Sequence, residues 1–150
     1  MSDHYGKATS QIKPGWLKIN IQGGEQYAKT AAIVREHSLH TICSSGMCPN
    51  KAECWGRRTA TFMILGDVCT RGCRFCATKT GNPLPTEEGE PVRVARSIRL
   101  MGLRHAVRTS VTRDDLPDGG AAQWAAVVNA VRTENPDTTI ELLIPDLWGR

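Results

Sequence analysis

From Glu25 to about His40, apolar Tyr27, Ala31 and Val34 recur at helical spacing while Lys29, Arg35 and Glu36 fall on other faces, which predicts an amphipathic helix. The residues before it, 1–25, look irregular apart from one strand-like run at Trp16–Ile21. After it the pattern dissolves: Thr41–Arg58 is rich in Cys, Ser, Gly, Asn and Pro and reads as a loop. At Ala60 the character changes, and Ala60–Gly66 has the make-up of a buried strand. A second cysteine-rich loop, Asp67–Gly81, and a Pro- and Glu-rich connection, Asn82–Glu90, lead to a helix opened by Pro91. Val94, Ala95, Ile98 and Met101 form one face of that helix, and Gly102 lies near its end. His105–Val111 is a second strand, followed by the polar loop Thr112–Gly120. Trp124, Val127, Val128 and Val131 then fall at i, i+3, i+4 and i+7, a helix that stops at Asn135 because Pro136 disfavours helical geometry before it. Thr138–Ile144 is the third strand, and Trp124 is a core residue.

Strand, helix, strand, helix, strand implies right-handed crossovers and a parallel sheet with helices outside, an α/β class. At roughly 30 residues per unit, residues 60–150 hold about two and a half βα units. The expectation is therefore a partial (βα) barrel or open sheet over 59–150, preceded by an N-terminal cysteine-rich extension over 1–58, in a C-terminally truncated chain. The second strand carries an oddity: Arg108 stands within His-Ala-Val-Arg-Thr-Ser-Val, where both faces of the sheet should be covered. Either it finds a carboxylate, such as Glu141 on the next strand, or the fold is weakened by an unpaired buried charge.

Composition excludes several classes. With 40% hydrophobic and 23% charged residues the 150-residue chain is a globular mixture, and its apolar runs fall well short of the ~20 residues of a bilayer span. The polar start, Met1–Ser10, has no secretory or transit character, so a cytoplasmic protein is expected. A net charge of +4, spread along a chain with 5% aromatics, is no nucleic-acid signature.

All six cysteines lie between Cys43 and Cys76. A disulfide framework would tie distant parts of the chain together; crowding into one window reads as metal or cluster ligation. Cys43, Cys48 and Cys54 are spaced C-x4-C-x5-C, and Cys69, Cys73 and Cys76 are spaced C-x3-C-x2-C. Structural zinc takes four ligands, commonly as two close pairs, so two triplets fit it poorly. A 4Fe–4S cube given three cysteines keeps one iron for a small molecule. His40 and His105 carry no ligand pattern, and Arg93, Arg96 and Arg99 read as a solvated helix face. The loop from Ser110 to Asp118 follows the second strand, where βα barrels gather active-site groups. Ser110, Arg113, Asp114 and Asp115 are candidates there, with Asp118 and Gly119-Gly120 starting the next helix.

The C-x3-C-x-aromatic-C motif, with Phe75 as the aromatic, resembles the radical S-adenosylmethionine signature. Together with C-x4-C-x5-C upstream, Thr59–Leu65, Cys69-Thr-Arg71, Lys13–Leu17, Cys48-Pro-Asn50, Glu53-Cys-Trp55, Arg113–Gly120 and Ile140–Asp146, it resembles the lipoyl synthase family over about residues 13–148. The resemblance implies a partial barrel of the radical S-adenosylmethionine type. It also implies a sulfurtransferase that inserts two sulfur atoms at carbons 6 and 8 of a protein-bound octanoyl-lysine, forming the lipoyl cofactor. Cys69, Cys73 and Cys76 would hold the 4Fe–4S cluster that binds S-adenosyl-L-methionine, and Cys43, Cys48 and Cys54 an auxiliary 4Fe–4S cluster consumed as the sulfur source. The implied partners are an octanoylated lipoyl carrier protein or domain and a ferredoxin or flavodoxin, with no nucleic acid and no membrane. The family usually has an aliphatic residue in place of Arg108 and more often Asp in place of Thr112. Two alternatives stand beside this reading: another radical S-adenosylmethionine enzyme with an auxiliary cluster, and a non-catalytic zinc-binding fragment. A partial chain is expected to show little or no lipoyl-forming activity by itself.

Overall fold

In the computed structural model two apolar helix stripes are buried against the first two strand runs, while the third run, Thr139–Leu143, stays largely exposed. The structure describes residues 24–147; the strand-like run Trp16–Ile21 and the Lys13–Leu17 stretch lie outside the described residues. Helix α1 (Glu25–Glu36) is followed by a two-residue strand β1 (His40–Thr41) and two short helices, α2 (Ile42–Ser45) and α3 (Lys51–Gly56). Strand β2 (Ala60–Ile64) leads to a small ladder of β3 (Val68–Cys69) and β4 (Lys79–Thr80). Then come α4 (Glu90–Met101), β5 (His105–Ser110), α5 (Ala121–Glu134) and β6 (Thr139–Leu143).

The main sheet has the order β1-β2-β5-β6. β2, β5 and β6 run parallel, as the alternation of elements predicts, while β1 adds antiparallel to the outer side of β2, so the sheet is mixed. The stretch 41–58 is a correction to the sequence reading. Thr41 caps α2 by accepting a hydrogen bond from the Ser44 amide at 3.3 Å, and the apolar content that folds α3 is the buried Trp55. Both helices are too short to leave a periodic signal. Trp55 packs on Tyr27 of α1 with ring centroids 5.5 Å apart, and Thr30 donates to the Trp55 carbonyl at 3.4 Å.

Helix ends fall where local chemistry puts them. Gly102 closes α4 in the left-handed region at φ 61°, and Asp118 accepts from the amides of Gly120 (2.9 Å) and Ala122 (2.7 Å) to start α5. The face Val94, Ala95, Ile98 and Met101 is buried, as are Trp124, Val127 and Val131, with Val128 half-buried at the margin. Among the described residues no helix is long and apolar enough to cross a membrane.

Parallel register explains the fate of Arg108. Phe62, Arg108 and Leu142 share one row of the sheet, so their side chains emerge on the same face. That is the face on which Ala60, Phe62, Ile64 and Ala106 are buried, and Arg108 is 0% exposed there. Glu141 does not reach it, so of the two sequence alternatives the carboxylate pairing fails. Its register partner is Val107, one position out of phase and therefore on the opposite face, and it pairs with His105 at 2.9 Å instead. None of the three guanidinium nitrogens of Arg108 has a hydrogen-bond partner among the described residues. Burial lowers its pKa to about 10.

Candidate functional site

The carboxyl ends of β2, β5 and β6 lie side by side because the three strands are parallel and adjacent. Each runs on into a polar segment: Leu65–Gly81 after β2, Val111–Gly120 after β5, and the stretch reaching Asp146 after β6. This is the end of a βα sheet where reacting groups collect.

Cys69, Cys73 and Cys76 sit in the first of these segments. Its neck is closed by the β3–β4 ladder, by the Gly81 amide donating to the Cys69 carbonyl at 3.0 Å, and by Lys79 on Asp67 at 2.8 Å. The lysine's hydrogen bond holds the Asp67 carboxyl below its usual range. Cys69 is half-buried, and its sulfur receives two main-chain N–H groups, from Arg71 (3.4 Å) and Thr112 (3.3 Å). Such donors stabilise charge on a thiolate. Cys73 and Cys76 are exposed, and hydrogen bonding from Thr78 lowers the Cys76 thiol. Phe75 is 94% exposed, so it packs against nothing among the described residues.

The three segments are stitched together by two residues between the first two cysteines. Thr70 donates through its amide (3.1 Å) and its hydroxyl (3.0 Å) to the Thr112 carbonyl, and its hydroxyl accepts from the Asp114 amide at 3.1 Å. Arg71 forks onto Asp114 through Nε (2.8 Å) and Nη2 (2.7 Å) and reaches Asp146 through Nη1 (2.8 Å). The two carboxylates, Asp114 foremost, push the Arg71 pKa above its ordinary value. One side chain of the cysteine loop thus holds the ends of all three parallel strands in register. Arg71→Ala is expected to cost little stability, because its ion pairs are open to solvent, while loosening the loop. Urea unfolding should show the small loss, and alkylation of Cys69 in the cluster-free chain should accelerate.

The Ser110–Asp118 candidates divide into two sorts. Arg113 is 2% exposed and points inward: it pairs with Asp115 through Nε (2.9 Å) and Nη2 (2.7 Å), and Nη1 donates to the Leu65 carbonyl at 3.2 Å. The guanidinium holds the Asp115 carboxyl below its usual range. Asp114 is engaged by Arg71, and the Ser110 hydroxyl is buried with no partner among the described residues. At Thr112 only the main chain makes these contacts.

The other trio lies on the α2–α3 segment. Cys43 is in α2 and buried, Cys48 follows it, and Cys54 is in α3. Their thiols are close enough to interact electrostatically: burial raises the Cys54 thiol first, and Cys43 and Cys48 add to it. A cleft of about 300 Å³, lined by Ser44, Ser45, Asp67, Ala77 and Lys79, separates this segment from the other cysteine loop. Among the described residues no three His, Cys, Asp or Glu side chains converge on a point that would hold a single metal ion. A lone zinc needs its sulfurs converging on it at about 2.3 Å each. A cube gives each cysteine a different iron and spaces the sulfurs more widely, so two trios of free thiols suit cubes by their chemistry.

No family model matches the chain. Over 138 residues, 92% of its length, it is 61% identical to the lipoyl synthase of Parabacteroides distasonis and 62% identical to that of Bacteroides fragilis. The Flavobacterium johnsoniae lipoyl synthase is 56% identical over 137 residues, 91% of the chain. The chain is a relative of the lipoyl synthases. It spans about half the length of these curated relatives, 49%, 48% and 48% respectively. The motifs that carry the likeness to lipoyl synthases in sequence, Cys69-Thr-Arg71, Arg113–Gly120 and Ile140–Asp146, are the segments that meet through Arg71 and Thr70. The sequence reading assigned no role to Glu90 or to Asp146. Glu90 is 9% exposed and accepts from the Leu65 amide at 3.0 and 3.2 Å and from Gln123 at 2.8 Å. The one sequence cue was its place directly before Pro91.

Proposed function

We propose that this chain carries the radical-initiating part of lipoyl synthase chemistry: insertion of two sulfur atoms at carbons 6 and 8 of an octanoyl-lysine on a lipoyl carrier protein. The observation that carries the reading is the C-x3-C-x-Phe-C loop at the carboxyl end of β2, its first sulfur held by two main-chain N–H groups, in a relative of lipoyl synthases. On this reading Cys69, Cys73 and Cys76 hold one 4Fe–4S cluster and Cys43, Cys48 and Cys54 the auxiliary one. Residues 1–58 are the extension bearing the auxiliary motif, and 59–150 belong to a radical S-adenosylmethionine barrel. With its open iron, the first cluster would supply the one-electron reductive cleavage of S-adenosyl-L-methionine, chemistry that belongs to the cofactor.

The chain's own residues do the positioning. Thr70 and Arg71 fix the cysteine loop against the β5 and β6 ends, so the exposed face carrying Cys73, Phe75 and Cys76 is presented in one direction. The amides of Arg71 and Thr112 fix the position of the Cys69 sulfur at the mouth of the loop. The exposed cysteines leave room for a low-potential donor of the ferredoxin or flavodoxin type to approach closely. We place the protein in the cytoplasm, where thiols stay reduced.

Anaerobic reconstitution with iron and sulfide, followed by metal and sulfide analysis, tests this. Two cubes correspond to about eight irons and eight sulfides per chain, and S-adenosyl-L-methionine with a low-potential reductant should then release 5′-deoxyadenosine. Zinc bound without sulfide would overturn the reading in favour of a zinc-binding module.

A further inference from the structure

The cysteine loop leaves β2 through Leu65 and Gly66, and both are in the left-handed region, at φ 68° and 93°. For glycine this conformation is free; for leucine it is strained and persists only where the surroundings over-determine it. Leu65 is also 3% exposed, so water does not serve its main-chain groups. Two buried side chains of opposite charge do. The Glu90 carboxylate, from the first residue of α4, accepts from the Leu65 amide at 3.0 and 3.2 Å. The Arg113 guanidinium, from the loop after β5, donates to the Leu65 carbonyl at 3.2 Å. Gln123 of α5 steadies Glu90 from behind at 2.8 Å, and Asp115 steadies Arg113. The leucine side chain lies over Gly120, where an added Cβ would stand 2.5 Å from Leu65 Cδ1.

We propose that Glu90 and Arg113 are positioning residues that clamp the two main-chain polar groups of Leu65 and so hold the left-handed turn that aims the Cys69–Cys76 loop. Neither touches a cysteine. They act through the turn, which lies four residues before Cys69, and they bring α4, α5 and the β5 loop to bear on its geometry. A neutral side chain of the right shape can serve at position 90, because the Leu65 amide needs an acceptor oxygen there, while alanine leaves a buried N–H unpaired. In its relation to the cluster this inference rests on the proposed function; in its relation to the turn it does not.

The test uses the whole chain in two states. In the cluster-free protein, amide hydrogen exchange is followed at Thr70 and Gly81, which close the loop several residues from Glu90, and at β5 amides as a reference. Glu90→Ala is expected to speed exchange at Thr70 and Gly81 by about tenfold or more while β5 stays slow, and Glu90→Gln is expected to restore most of the protection. After anaerobic reconstitution, Glu90→Ala should lose iron at the Cys69–Cys76 loop, and Glu90→Gln should retain it. Equal acceleration at β5 and in the loop, or wild-type protection in Glu90→Ala, overturns the clamp. A wild-type chain that takes up no iron overturns the proposed function instead, and the exchange data still judge the clamp.

Discussion

Arg108→Leu is expected to make the protein markedly more stable. The side chain stands in the middle of a parallel sheet at 0% exposure with all three guanidinium nitrogens unpartnered among the described residues. Leucine fills a similar part of the space without a charge to desolvate. Burial that lowers the pKa to about 10 disfavours the charged form by roughly 3 kcal/mol, at about 1.4 kcal/mol per pH unit. That agrees with the 3–5 kcal/mol typical of a buried charge that has lost its partner. Against a whole stability of about 5–15 kcal/mol this is a large share. The sign of the pH dependence provides a second check. Below pH 10 the guanidinium is charged in both the folded and unfolded chain, and the penalty is present in full. As pH rises above about 10 the folded state releases its proton first, the unfolded state binds more protons, and the wild type gains stability. Urea unfolding should therefore show a variant more stable by a nearly constant margin from pH 6 to 9, narrowing above about pH 10. No gain at neutral pH would mean that Arg108 has an acceptor in the folded protein.

Arg108 also marks what the sequence could and could not convey. Its burial was legible, because an apolar strand run flanked by helices in a βαβ order leaves no exposed position in the middle of the strand. Its lack of a partner was not, since that depends on register. A one-residue offset of β6 would have brought Glu141 to the same face, and nothing local fixes that offset. The long helices were readable for the opposite reason: Val94, Ile98 and Met101, or Trp124, Val127 and Val131, repeat over about two turns. The α2 and α3 helices repeat over one turn and are held by a cap and a single tryptophan. At the site, the cysteine spacing and the strand before it were evident. Of the residues that aim the loop, Arg113 stood among the candidates but without its partner; Glu90 and Asp146 were hidden, because they lie 21 and 77 residues from Cys69 and meet it only through the topology of adjacent parallel strands.

The two cysteine trios should fail separately. Cys73 and Cys76 are exposed and Cys48 is half-buried, so replacing any of them with alanine removes little packing and should change the stability of the cluster-free fold by no more than about 0.5 kcal/mol. Cys43 is 7% exposed within the core, and its substitution would mix a packing loss with a ligand loss. The informative pair is therefore Cys48→Ala and Cys76→Ala. On the proposed function, each removes one of three thiolates from one cluster. Because the trios lie on different segments across a cleft, the other cluster should be untouched. Each variant is expected to fall from about eight irons to about four per chain, and the double variant to lose nearly all. Their chemistry should diverge even though their iron content does not. Cys76→Ala should lose release of 5′-deoxyadenosine by at least a hundredfold, since without a proper open-iron cluster nothing cleaves S-adenosyl-L-methionine; Cys48→Ala should keep it. Iron and sulfide analysis, with product quantified by chromatography, reads both quantities on the same sample. Equal loss of cleavage in both variants would mean that the six thiols serve one centre, and the assignment of separate clusters to the α2–α3 segment and the β2 loop would fall.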